Sequence, residues 1–238
     1  MIDISKSLHF ATLAGVQLRV HESFGLLSSF ILVMSCLIGK PFLFLGFLCV
    51  FGFVILHEYG HIYAARYHGY EAERITLTGL GGIAEISSTG QSPREIIHIS
   101  LAGPLVNVVL FLVSSGIALI TGWNVYLEFV FRMNLILAIF NMIPAYPMDG
   151  GRFLQGLIWN WFGYVRSYEW TCKVAQVTAA GILIWSVWNL AFLGIFISYF
   201  IFKEARKTLI AFQAAIADID PEDLDNLRRF RGPDRPMM

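Results

Sequence analysis

Residues 41–56, PFLFLGFLCVFGFVIL, contain no charged or amide side chain. Few folds are open to such a run. It is far longer than an ordinary strand, and as a surface helix it would have no polar face to give to water. It reads with its continuation as one helix over 42–67, long enough to cross a hydrocarbon core of about 30 Å with length to spare. The whole chain of 238 residues has the same bias: 56% of it is hydrophobic, 14% is charged, and its mean hydropathy is +0.63. Such a balance belongs to membrane proteins rather than to soluble domains.

Further spans are predicted over 24–38, 95–121 (with Pro104 expected to kink it), 125–143, and twice within 171–202 with its flanks, turning near Trp188 and Asn189. A short amphipathic helix is expected over 152–162. Residues 8–20, LHFATLAGVQLRV, alternate on both sides of Gly15 and predict two strands and a turn. Arg74–Thr89 alternates around Gly79, Gly81 and Gly82 and predicts a β-hairpin. The fold class is therefore an all-α polytopic membrane protein of about six transmembrane helices, with a small membrane-associated β-element. It divides into an N-terminal β-element over 1–23, a membrane core over 24–202 and a tail over 203–238. The first long apolar run starts near Phe24, so no cleavable signal peptide is expected, and no internal repeat is visible.

On this topology Lys40 and Arg132 lie on one side of the membrane and all other lysines and arginines on the other. The positive-inside rule then puts both termini in the cytoplasm of a multi-pass protein of the cell membrane. The formal net charge is zero, so no basic surface suggests nucleic acid. Cys36, Cys49 and Cys172, odd in number and far apart, read as small core residues. Trp123, Trp159, Trp161 and Trp170 fall near span ends, where an indole can meet both lipid and headgroups. His21, Glu22, His98 and Glu128 read as interfacial residues.

The long span ends in a different chemistry. Within LHEYGH, His57 and His61 are four residues apart and share one helix face, so both imidazoles can reach one metal ion. Glu58 follows directly, placed to act on an attacking water without being a ligand. An unpaired ionisable group at mid-membrane costs about 2.5–3.5 kcal/mol on insertion scales, so groups there are functional candidates. Catalytic zinc usually takes three protein ligands. Asp149, in PAYPMDGGR, is the candidate for the third, since Gly150 and Gly151 leave approach to the metal open. Capping the helix that starts at Gly150 is its alternative role.

These two motifs resemble those of the site-2 protease family, the intramembrane zinc metalloproteases. HEYGH (57–61) is similar to the family's H-E-x-x-H, and NMIPAYPMDGG (141–151) to its second motif. GVQLRVHESF (15–24), LGGIAEI (80–86) and SLAGPLVN (100–107) support the likeness in family order, over roughly residues 8–205. The PAYPMDGGR form is similar to the bacterial and archaeal sporulation-type group. The CBS modules frequent there are not expected here, nor is an inserted PDZ domain.

The resemblance implies one Zn²⁺ per chain, held by His57, His61 and Asp149, with Glu58 as the catalytic acid/base. It implies hydrolysis of a peptide bond in or beside a transmembrane segment of a single-span membrane protein. The hairpin could pair with the unwound substrate through Gly81 and Gly82, or be purely structural. Asn141 could donate to the scissile carbonyl or tie helix ends; Asn107 has the same two readings, with an interhelical bond favoured. Besides substrate and bilayer, a second copy or a regulatory membrane protein is an open partner. The rival readings are a non-catalytic zinc protein that binds transmembrane helices, and a metal transporter. Glu58 speaks against the first, and the concentration of ionisable groups in two motifs against the second.

Overall fold

The computed structural model describes residues 7–86, 91–217, 219, 220 and 222. The end of the expected hairpin (87–89) and nearly all of the 203–238 tail beyond Ala217 lie outside them. The chain forms two compact units, one of Met1–Thr89 and Ala102–Ala138, the other of Gly90–Leu101 and Ile139–Met238.

In the first unit, β1 (Ser7–Leu13) and β2 (Val16–His21) turn at Ala14 and Gly15, both with positive φ. Helix α1 (Glu22–Leu37) follows at once, and His21 caps it by accepting the Ser23 amide at 3.1 Å. Helix α2 (Phe42–Tyr67) packs against α1 through Phe24, Phe47 and Phe51. Strands β3 (Ala72–Thr78) and β4 (Gly81–Ile86) complete one sheet in the order β1-β2-β3-β4. The β1–β2 and β3–β4 pairs are antiparallel, whereas β2–β3 is parallel, pairing Leu18 with Ile75. The expected pieces at 8–20 and, as far as Ile86, 74–89 thus belong to one sheet.

Arg66, in the last turn of α2, fastens that sheet to the helix. Its guanidinium donates to the carbonyls of Ala72 (2.9 Å), Ala14 (3.2 Å) and Gly15 (2.9 Å). About two turns earlier the Tyr59 hydroxyl donates to the Leu13 carbonyl at 2.6 Å.

Helix α3 (Pro93–Thr121) starts at a capping box: the Ser92 hydroxyl accepts the Glu95 amide, and the Glu95 carboxylate accepts the Ser92 amide. It runs unbroken through Pro104. Helix α4 (Val125–Asn141) follows. Both helices contribute residues to each unit.

The second unit adds α5 (Asp149–Phe162), α6 (Tyr164–Trp188) and α7 (Phe192–Ala217). Small residues let α6 and α7 approach closely. Ala175, Ala179 and Ala205 are buried with Ile201, and the Ser198 hydroxyl donates to the Ala179 carbonyl at 2.7 Å.

Several expectations need correction. Of the six expected spans, only α2 and α3 are long and apolar enough to cross a membrane, among the described residues. Helices α1 and α4 have 16 and 17 residues, short of the roughly 20 a bilayer requires. In α6 the apolar sequence is diluted by Lys173 and Gln176, and in α7 it stops at Lys203. The chain is mostly helical rather than all-α, because the four strands form a true sheet. Cys172 is buried, but Cys36 and Cys49 are exposed on the outer faces of apolar helices. Trp159 is 3% exposed and packs edge-on against Tyr164, so it is a core residue rather than an interfacial one. His21 is likewise buried as a cap.

Candidate metal centre

The H-E-x-x-H segment lies in the C-terminal half of α2, and the first unit surrounds it on two sides. Gly60 lets α3 come close: a Cβ there would lie 2.6 Å from the Ala102 carbonyl oxygen and 2.9 Å from Val106. That approach brings Gly103 and Asn107, one turn apart on α3, against the histidines. A Cβ on Gly103 would collide with His61 Nε2 and sit 2.7 Å from His57 Nε2. Any side chain there would have to push the imidazoles aside.

Both imidazoles are buried, at 5% and 6% exposure, with their Nε2 atoms 3.1 Å apart. Two nitrogens each about 2.0–2.1 Å from a tetrahedral zinc stand at a similar separation, so the pair fits zinc. His57 Nδ1 is engaged by Asn107 Oδ1 at 2.6 Å. This leaves Nε2 as the atom turned toward a metal. Asn107 donates in turn to Asn134 Oδ1 on α4 at 2.9 Å, and Asn134 donates to the Val130 carbonyl at 2.9 Å. Both asparagines are 0% exposed.

Glu58 points the other way round the helix, to the sheet. Its Oε2 accepts the Ala84 amide at 3.1 Å. Gly82 makes room for it, since a Cβ there would lie 2.6 Å from Glu58 Cγ. Strand β4 is an outer strand of the sheet, and Ala84, whose amide Glu58 accepts, lies opposite Ile75. The first unit therefore brings His57, Glu58, His61 and Gly82 together. Gly81, at φ +134, starts β4 with nothing within 4 Å of a would-be Cβ.

Asn141 and Asp149 belong to the second unit. Asn141 is the last residue of α4, and Asp149 is the first of α5, with Met148 in the N-cap position. The segment between them is held from below. A Cβ on Gly150 would collide with the carbonyl oxygens of Met142 and Ile143, and one on Gly151 would meet the Ala145 backbone. The Tyr146 hydroxyl donates to Gln155 Oε1 at 2.5 Å, both residues buried. Reading the sequence missed Asn134, Ala84 and Gly103; for Asn107 the interhelical bond is present, to Asn134, and the contact with His57 was missed. The i, i+4 spacing of Gly103 and Asn107 was the signal available for those two.

The sequence profile of peptidase family M50 matches residues 45–122 and 113–185, which include both motifs. The chain belongs to peptidase family M50. This M50 chain is 28% identical over 225 residues to a zinc metalloprotease of Methanocaldococcus jannaschii, covering 92% of the chain and 66% of that protein. It is 26% identical over 130 residues to stage IV sporulation protein FB of Bacillus subtilis, covering 54% and 45%. The solved structure of a site-2 protease from Methanocaldococcus jannaschii superposes on it with a TM-score of 0.66 at 28% identity, covering 85% of this chain and 95% of that one. The chain spans less than two thirds of the length of the curated relatives it matches. The names of those relatives and the buried imidazole pair agree on zinc as the metal.

Proposed function

We propose that this protein is an intramembrane zinc metalloprotease that cuts a peptide bond in or next to a transmembrane segment of a single-span membrane protein. The observation that carries the reading is the buried His57–His61 pair with Glu58 beside it on α2, in a chain of family M50. His57 and His61 supply two nitrogen ligands, and Asp149 the third. Zinc, when bound, acidifies a water and polarises the scissile carbonyl. Glu58 takes the proton of the attacking water and passes it to the leaving amine. Asn141 donates to the carbonyl oxygen as charge develops there.

A helical substrate must unwind before its carbonyl can be attacked, and its freed backbone groups then need partners that lipid cannot supply. The outer edge of β4, from Gly81 and Gly82 onward, would pair with the extended stretch. The bilayer setting is supported by α2 and α3, whose apolar stretches are only 6% and 28% buried in the protein. The six helices α1–α4, α6 and α7 would lie in the cell membrane, with α2 and α3 crossing by their own length. The β-element over 1–23 and the tail over 203–238 would be cytoplasmic, flanking a protease core over 24–202, in line with the lysine and arginine distribution.

The test is co-expression with a single-span substrate containing helix-breaking residues, comparing wild type with Glu58→Gln. Product from wild type alone is expected. Product from both, or from neither across a panel of such substrates while zinc is bound, would overturn the reading in favour of a zinc protein that only binds helices.

A further inference from the structure

Two buried amides and one backbone carbonyl form a chain of hydrogen bonds that ends on His57. Its direction is fixed at the far end. The Val130 carbonyl has no proton to give, so the Asn134 side chain must turn its NH₂ group toward it. The Asn134 oxygen then faces Asn107 and can only accept, which requires the Asn107 NH₂ group there. That leaves the Asn107 oxygen for His57, so the ring nitrogen 2.6 Å away must carry the proton. Every link follows from the last, and no amide in the chain can flip without leaving a buried polar group unpaired.

We propose that Asn107 and Asn134 are positioning residues that hold His57 in the Nδ1–H tautomer, so that the backbone of α4 keeps the Nε2 lone pair available for the metal. The inference rests on the reading of His57 as a zinc ligand. Three observations support it. Asn107 and Asn134 are both 0% exposed, and a buried amide with no task is costly. Gly103, one turn before Asn107, is shaped to the same two imidazoles. The relay also starts from a helix carbonyl, the one acceptor that no side-chain rotation can reverse.

The role differs from plain helix gluing in what happens when Asn134 is removed. Without it, the Asn107 amide is free to turn and present NH₂ to His57. His57 Nδ1 then becomes the acceptor, and the proton moves to Nε2, the atom a metal needs bare. An aspartate at position 107 has no NH₂ face to present and cannot make that error.

Two measurements on the full-length protein in detergent test this. The first needs no relay variant: ¹⁵N chemical shifts of the His57 ring in metal-free protein, assigned by difference with His57→Phe. A proton on Nδ1 is expected, and a ring protonated mainly on Nε2 overturns the proposal. The second is zinc affinity by chelator competition for wild type, Asn134→Leu, Asn107→Asp and the double variant. Asn134→Leu should weaken zinc about 10- to 100-fold, the range for lost outer-shell partners. In the Asn107→Asp background the same change should cost little further. Unchanged affinity in Asn134→Leu, or an equal loss in both backgrounds, means that the asparagines only join helices. Should Asn134→Leu fail to fold, the tautomer measurement decides alone. The proposed function fails separately: wild type would then hold no zinc, or hold it equally well as His57→Ala.

Discussion

The two motif regions solve the same problem in opposite ways. In the first unit the chemistry sits on a regular helix, α2. The histidines and Glu58 are therefore aimed by what touches them: Asn107 on one side, and strand β4 on the other. In the second unit the chain is irregular between α4 and α5, with turns and bends over residues 142–148. Asp149 is aimed by backbone packed on backbone, with Gly150 and Gly151 as the contact points. A side-chain contact can yield at the expense of geometry, whereas a backbone contact cannot yield without moving the chain. The same kind of substitution should thus break different things in the two regions.

The largest effect is expected from Gly150→Ala. Its new methyl would meet the Met142 and Ile143 carbonyl oxygens, which belong to the segment itself and have nowhere to go. Overpacking typically costs about 1–3 kcal/mol and occasionally more, and this site belongs at the upper end. Thermal unfolding in detergent should show the loss directly, with zinc lost along with the fold. A variant that melts like wild type would remove the contrast between the two regions.

Gly103→Ala should come next and should separate zinc from folding. Here the new methyl meets two imidazoles, which can rotate away. The fold should survive, while the histidines lose their shared geometry. Zinc affinity should fall by at least about 10-fold, in the range found when ligand positioning is disturbed. Retained zinc would show that the cleft between α2 and α3 adapts more than the close contacts imply.

How far the sequence revealed this arrangement differs for the two regions as well. H-E-x-x-H declares itself through i, i+4 spacing, because a helix converts that spacing into one face. The hairpins over 8–20 and 74–89 were legible from alternation and glycine. Their union in one sheet was not, because the parallel pairing of Leu18 with Ile75 joins residues far apart in sequence and leaves no local trace. Asn134 was invisible for the same reason: a lone amide in VFRMNLILAIF acquires meaning only when α3 brings Asn107 to it. Trp159 was misplaced because a position near a helix end reads alike whether lipid or Tyr164 lies beside it. The six-span expectation overcounted: among the described residues only α2 and α3 are long and apolar enough to cross, and α1 and α4 stop short of a full crossing.

The smallest expected effect isolates Glu58 from both ligands and fold. In Gly82→Ala the methyl would stand 2.6 Å from Glu58 Cγ and 3.1 Å from its Oε1, pressing the carboxylate off the Ala84 amide. Strand β4 is an edge strand, and alanine is tolerated there, so stability should change by no more than about 1 kcal/mol. Glu58 does not hold the metal in the proposed mechanism, so zinc affinity should match wild type. Cleavage should nevertheless slow by about 10-fold, because a proton acceptor displaced from hydrogen-bond reach is a poor one. The decisive readout is kcat at saturating substrate together with zinc content. Slower turnover with full zinc places Glu58 in proton transfer and β4 as its support. A parallel loss of zinc would instead make β4 part of what holds the histidines, and the division of labour around α2 would disappear.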